Sequence, residues 1–230
     1  MNFYGFQKMT LLDFPGKVAC TVFTGGCNFR CPFCHNALLV TDLSNESLIS
    51  SDEILRFLSK RKGLLDGIAI TGGEPLLHKD LLPFLRDVRS LGFQIKLDTN
   101  GSFPELLSQI IDEHLADYIA MDVKNRKERY GETIGFPNFD LAPIEASMAA
   151  LKLSSIDYEF RTTIVDEFHT VEDIRELANW ITGVPHYYLQ NFVDSGNLIG
   201  QNLHAVSKDT LKKMQVAAST FVPQTQIRGI

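Results

Sequence analysis

Cysteine is scarce in this chain, four residues in 230, yet Cys27, Cys31 and Cys34 all fall within "CNFRCPFC". The spacing C-x-x-x-C-x-x-C suits a structural zinc poorly. Such a site takes four protein ligands, typically from two separated pairs, and no second pair follows. His35 adjoins Cys34, and an immediate neighbour does not easily reach the same ion. Ferredoxin-type clusters use four thiolates. The fourth cysteine, Cys20, lies in the apolar run "VACTVF", where the plain reading is a small buried residue. Three thiolates on a four-iron cluster would leave one iron without a protein ligand. An open coordination position is what lets a metal centre act on a substrate.

The remaining chemistry-bearing residues sit at recurrent places. Short apolar runs at 18–23, 67–71, 94–98, 118–122, 158–163 and 186–190 alternate with helical periodicity at 51–62, 79–91, 104–114, 141–153 and 171–181, and a last helix is expected at 207–220. Ser50 or Ser51 with Asp52 and Glu53 signals a helix start, and Gly92 a stop. Strand–helix alternation predicts parallel strands with right-handed crossovers, as an open, partial barrel or a doubly wound sheet. Nearly every strand ends in polar or glycine-rich residues: the cysteines after the first, "TGGEP" after the second, "DTNG", "MDVK", "RTT" and "QN" after the rest. In parallel α/β folds these ends share one face, where active sites lie. One mouth lined by thiols, carboxylates, a lysine, an arginine and amides is therefore expected.

Hydrophobic residues make up 44% of the chain, enough for a sizeable core, and the net charge of −6 argues against gripping nucleic acid through phosphates. No apolar run reaches the length of a membrane span and the N-terminus lacks the pattern of a signal peptide. A cytoplasmic protein without membrane or nucleic-acid partners is expected, in a compartment where clustered cysteines bind metal or catalyse.

The three-cysteine signature resembles that of radical S-adenosylmethionine enzymes. The longer run "DFPGKVACTVFTGGCNFRCPFCHN" is similar to the anaerobic ribonucleoside-triphosphate reductase activating proteins, which are glycyl-radical-enzyme activases. "LLDFPGK", "TGGEP", "KLDTNG", "YIAMDVK", "YEFRTTIV" and "YYLQNF" follow in the expected order, so the resemblance covers essentially the whole chain. It implies an α/β fold, a partial (β/α)6 barrel of the radical S-adenosylmethionine type. Residues 1–230 would form one domain, with 1–17 packing on the barrel and 205–230 forming a C-terminal helix and tail.

What the resemblance implies about the site is specific. Cys27, Cys31 and Cys34 would hold a [4Fe–4S] cluster whose open iron takes the amine and carboxylate of S-adenosylmethionine. Glu74, with the backbone freed by Gly72 and Gly73, would hold the cofactor's ammonium. Phe33 and the backbone at His35 and Asn36 would border the adenine, although Phe29 and Phe33 could simply pack the cysteine loop. Two carboxylates at adjacent strand ends repel unless something positive lies between them. Related activases bind a monovalent cation there, and the matching positions are Asp98, Thr99 and Asp122. Lys124 would pair with the cofactor carboxylate or with Asp122. Asn100, Arg161, Gln190 and Asn191 are further cofactor-contacting candidates. The implied reaction is oxidoreductive: cleavage of S-adenosylmethionine, then removal of a glycine hydrogen from the reductase, with flavodoxin or ferredoxin as electron donor. Two alternatives remain at this point. One is activation of a pyruvate formate-lyase type enzyme or modification of another peptide. The other is a structural zinc module, which leaves "GGEP" and "DTNG…MDVK" without a purpose.

Overall fold

The computed structural model describes residues 1–44 and 48–229; Ile230, at the end of the expected tail, lies outside them. In chain order the elements are β1 (Asn2–Phe3), β2 (Gly5–Thr10), β3 (Ala19–Thr24), α1 (Ala37–Thr41), β4 (Ile49–Ser50), α2 (Ser51–Ser59) and β5 (Gly67–Gly72). A 3-10 turn (Pro75–Leu77) leads to α3 (Leu81–Ser90), β6 (Gln94–Thr99), α4 (Pro104–Asp112), β7 (Tyr118–Asp122), α5 (Lys127–Thr133) and α6 (Ala142–Leu153). Then come β8 (Asp157–Ile164), α7 (Val171–Trp180), β9 (Tyr187–Asn191), α8 (Lys208–Ser219) and β10 (Thr225–Arg228).

The strand order decides between the two architectures the alternation left open. The main sheet runs β10-β9-β8-β7-β6-β5-β3-β2. From β3 to β10 every neighbouring pair is parallel and chain order is kept, without the reversal that defines a doubly wound sheet. The sheet is thus a partial barrel, and its end strands β2 and β10 do not pair with each other. The tail adds what the sequence did not suggest, a seventh parallel strand: Thr225–Arg228 pairs with Tyr187–Gln190. On the other edge β2 runs antiparallel to β3.

Strand alternation sorts the side chains. Ile68, Ile70, Ile95, Leu97, Ile119, Met121, Phe160 and Leu189 are fully buried, as are Leu58, Leu85, Val88, Leu107, Leu151 and Leu177 on the helices, and all belong to one core cluster. Burying a side chain of this size contributes about 1.5–3 kcal/mol. The opposite strand faces carry Lys96, Asp98, Asp122, Glu159, Arg161 and Gln190, so the barrel interior is polar. Capping fixes where helices begin: Ser50 and Glu53 form a reciprocal capping box on α2, and Thr170 and Asp173 do so on α7. Past α3, Gly92 takes φ +87°, a left-handed conformation that glycine adopts without strain.

Candidate active site

The C-terminal strand ends enclose a cavity of about 220 Å³. Its lining includes Cys27, Cys31, Cys34, Phe33, His35, Asn36, Gly72, Gly73, Glu74, Asp98, Thr99, Asn100, Asp122, Lys124, Arg161 and Gln190. One expected residue is missing. Asn191 alternates to the other face of β9, where its Nδ2 donates to the Val206 carbonyl at 3.0 Å and ties down the chain leading to α8. Thr71 of "TGGEP" and Thr163 of "RTT", not singled out as site residues in the sequence, also line the cavity.

The cysteine loop leaves β3 and is pinned from both sides. Asn36 Nδ2 donates to the Gly72 carbonyl at 2.8 Å. The His35 ring stacks on Phe192, centroids 5.8 Å apart, and its Nε2 hydrogen-bonds the Val193 carbonyl at 2.7 Å. Phe29 packs edge-on against Phe139, and Phe33 packs at a tilt against Phe168. Both are buried, so packing the loop is a job they do, and both also line the cavity. Cys20 is fully buried within β3 and apart from this lining.

Burial pushes the Cys31 thiol up to about 12, against the opposing pull of the Lys124 ammonium. Burial likewise raises Cys27 and Cys34. Buried thiols of this kind become thiolates when a metal displaces their protons. Cys27 Sγ already accepts the Phe29 amide at 3.3 Å and lies 3.8 Å from Asn100 Nδ2, two donors placed to support a thiolate. Among the described residues no three His, Cys, Asp or Glu side chains close around one point as ligands of a single ion do. The thiols ring a cavity instead, and the soft donor set fits an iron–sulfur group.

The glycine pair of "GGEP" has a different reason from the one expected. A Cβ on Gly73 would fall 1.9 Å from the Gly26 carbonyl oxygen, and one on Gly72 would fall 2.4 Å from the Thr24 amide nitrogen. The close approach is to the start of the cysteine loop, locked by Gly73 N donating to Thr24 O and Glu74 N to Gly26 O. Glu74 is buried and holds the turn to the end of β6: its carboxylate accepts from the Leu76 amide, Thr99 Oγ1 and the Asn100 amide. Burial pushes this carboxyl up to about 7 despite those three donors. Asn100 in turn donates to Asn28 Oδ1 and accepts from Ser102, while Asn28 donates to Ser102 Oγ. Asn28 and Ser102 carried no motif signal.

The carboxylates expected to share a monovalent cation are already paired. Lys96 Nζ donates to Asp98 Oδ1, and Arg161 Nη1 reaches Asp98 Oδ2 at 3.3 Å. Arg161 Nε donates to Asp122 Oδ1 and Lys124 Nζ to Asp122 Oδ2, both at 2.9 Å. Burial alone would raise Asp122, but Arg161 and then Lys124 more than offset it and hold the carboxyl well below its usual range. Asp98 is lowered in the same way by Arg161 and Lys96. Thr99, the third expected cation ligand, is turned to Glu74. The donor set therefore does not fit a metal cation: all four carboxylate oxygens hold protein N–H groups, and the charge between the acids is supplied by side chains.

Comparison with known proteins agrees with this site. The Radical SAM superfamily pattern matches residues 21–181, more than half of the chain. A glycyl-radical enzyme activating enzyme of Methanocaldococcus jannaschii is 30% identical over 233 residues, covering 98% of this chain and 95% of that protein. A pyruvate formate-lyase-activating enzyme of Clostridium pasteurianum is 26% identical over 79% of this chain and 76% of its own length. A radical SAM methyltransferase from Sphaerobacter thermophilus superposes with a TM-score of 0.76 over 96% of this chain and 68% of that chain, at 13% identity, a likeness of fold. The mouth of thiols, acids and cations is thus that of a chain belonging to the Radical SAM superfamily, in the family of glycyl-radical enzyme activating enzymes, which implies a [4Fe–4S] cluster, S-adenosylmethionine and a glycyl radical enzyme as substrate.

Proposed function

We propose that this chain generates the glycyl radical of an anaerobic ribonucleoside-triphosphate reductase, in the cytoplasm, with flavodoxin or ferredoxin supplying the electron. The observation that carries this is the convergence on one cavity of the three-cysteine loop, "GGEP" and the ends "DTNG" and "MDVK", in a chain whose motifs resemble the reductase activases from residue 11 to residue 192. The sequence holds no cysteine beyond Cys34, so no second cluster is held by cysteines of this chain, unlike activases with a ferredoxin-like insert.

When bound, a [4Fe–4S] cluster supplies the electron and the open iron at which S-adenosylmethionine is cleaved. The chain's residues do the rest. Cys27, Cys31 and Cys34 hold the cluster; the Phe29 amide and Asn100 donate toward Cys27. Carbonyls of the glycine turn receive the cofactor's ammonium, with Glu74 fixing that turn from behind. The Lys96, Lys124 and Arg161 cations exceed the Asp98 and Asp122 anions by one, and that surplus receives the cofactor carboxylate. Phe33 and the backbone at His35 and Asn36 border the adenine, and Gln190 lies across the mouth. The substrate glycine enters the open mouth, because reacting atoms must come within about 3–3.5 Å.

The test is anaerobic. The reconstituted, reduced protein is given S-adenosylmethionine with the reductase, with a pyruvate formate-lyase type enzyme, or alone. A glycyl radical spectrum with the reductase, accompanied by 5′-deoxyadenosine, is expected. Radical formation only on the lyase type enzyme would assign the other partner, and cofactor cleavage with no protein radical would remove the activase reading.

A further inference from the structure

We infer that this enzyme needs no monovalent metal ion, because the Arg161 guanidinium bridges its two strand-end acids while the Lys96 and Lys124 ammonium groups take their remaining oxygens. Lys96 is almost fully buried within β6, two residues before Asp98 and therefore on the same strand face. That spacing sends its four-carbon stem along the strand to Asp98 Oδ1. Arg161 stands opposite Asp122 in the β7–β8 register and spans both acids, taking one oxygen from each. Lys124 takes the last oxygen.

A metal ion would have to break these contacts before gaining any oxygen ligand. It would also enter beside three fixed positive charges, and like charges in a poorly solvated site repel strongly. A hard metal ion needs free oxygen donors to replace its water; here the four carboxylate oxygens are already committed. An ammonium on a covalent stem supplies the same unit charge at an effective concentration that no dissolved ion matches. The consequence is a site whose electrostatics are independent of the salt around it, and whose surplus charge is fixed by sequence.

The effect on cofactor affinity rests on the proposal that a cofactor carboxylate meets this cluster, whereas ion occupancy does not. Two measurements therefore run side by side. In the first, crystals of the wild-type protein and of Lys96→Ala are soaked in rubidium and read by anomalous scattering. In the second, S-adenosylmethionine affinity of the reconstituted protein is measured in tetramethylammonium, potassium and ammonium buffers, for the wild type, Lys96→Ala and Lys96→Met. The wild type should show no rubidium between Asp98 and Asp122, and affinities within about twofold across the salts. Lys96→Ala should bind the cofactor about tenfold more weakly in tetramethylammonium, the size of a lost charged hydrogen bond, and recover in ammonium or potassium. Lys96→Met, whose side chain fills the space without charge, should stay weak in all three. Rubidium in the wild-type site, a wild-type affinity that rises severalfold with potassium, or a Lys96→Ala protein indifferent to salt and as tight as the wild type would each overturn the inference. The wild-type arms decide it even if a variant fails to fold. Absence of cofactor binding in every buffer would count against the cofactor proposal and leave the rubidium result to decide the ion question.

Discussion

Two ion clusters share the barrel interior, and they are built to different ends. At the mouth, Lys96, Lys124 and Arg161 meet Asp98 and Asp122, three cations for two acids, beside an open cavity. At the seam, Glu159 is fully buried and is hydrogen-bonded by a single cation: Arg228 donates to both of its carboxylate oxygens, at 2.5 and 2.7 Å. Tyr118 Oη donates to the same carboxylate, and the Arg228 guanidinium lies 3.3 Å from the Tyr188 ring centroid. The seam cluster is neutral and reaches from β10 across β9 to β8 and β7. It closes the free edge of the barrel onto its interior. The mouth cluster carries an unspent positive charge. Matched charge marks the part that holds the fold; unmatched charge marks the part that waits for a ligand.

That contrast can be broken in order of effect. Arg228→Ala should cost about 3 kcal/mol of stability in urea denaturation, because it strands a buried carboxylate, while the folded protein binds S-adenosylmethionine as before. A loss of affinity equal to that of a mouth variant would erase the distinction. Arg161→Met should do the reverse. Affinity should fall by about tenfold, with a smaller stability change than Arg228→Ala, since Asp98 and Asp122 keep their lysines.

Acid should reveal the mouth cluster as well. Asp98 and Asp122 are held below their ordinary values, so their stabilisation is complete above the unfolded value of about 4 and is lost as pH falls further. Melting temperature followed downward from pH 6 should drop less steeply for Asp122→Asn than for the wild type; parallel curves would contradict the assignment. Smallest of all, Thr170→Ala, which removes the α7 cap outside the barrel, should cost about 1 kcal/mol and leave affinity untouched.

What could be read in advance follows from how strongly each element is specified locally. The six inner strands and their helices announce themselves by apolar runs and helical periodicity. The edge strands do not: "GFQKMT" and "TQIR" have no apolar run, and only pairing with β3 and β9 makes them strands. Helix α5, "KERYGET", hides behind its charges and its glycine. The mouth was legible because polar residues at successive strand ends have little other reason to be there. Asn191 failed by a single step of alternation, Gln190 facing in and Asn191 out. Lys96 was overlooked although its i, i+2 relation to Asp98 was visible in "KLDTNG". The role of Glu74 as a clamp between two strand ends depended on long-range hydrogen bonds that no spacing reveals.

The most direct test of the account concerns the iron that no cysteine claims. Protein reconstituted with ⁵⁷Fe, about four irons per chain, is examined by Mössbauer spectroscopy under anaerobic conditions with and without S-adenosylmethionine. One iron in each cluster should change its signal when the cofactor is added, and Cys31→Ala should abolish cluster retention while Cys20→Ala retains it. Four irons that stay equivalent with the cofactor in excess, or equal loss of the cluster in both variants, would contradict a cluster held by Cys27, Cys31 and Cys34 alone.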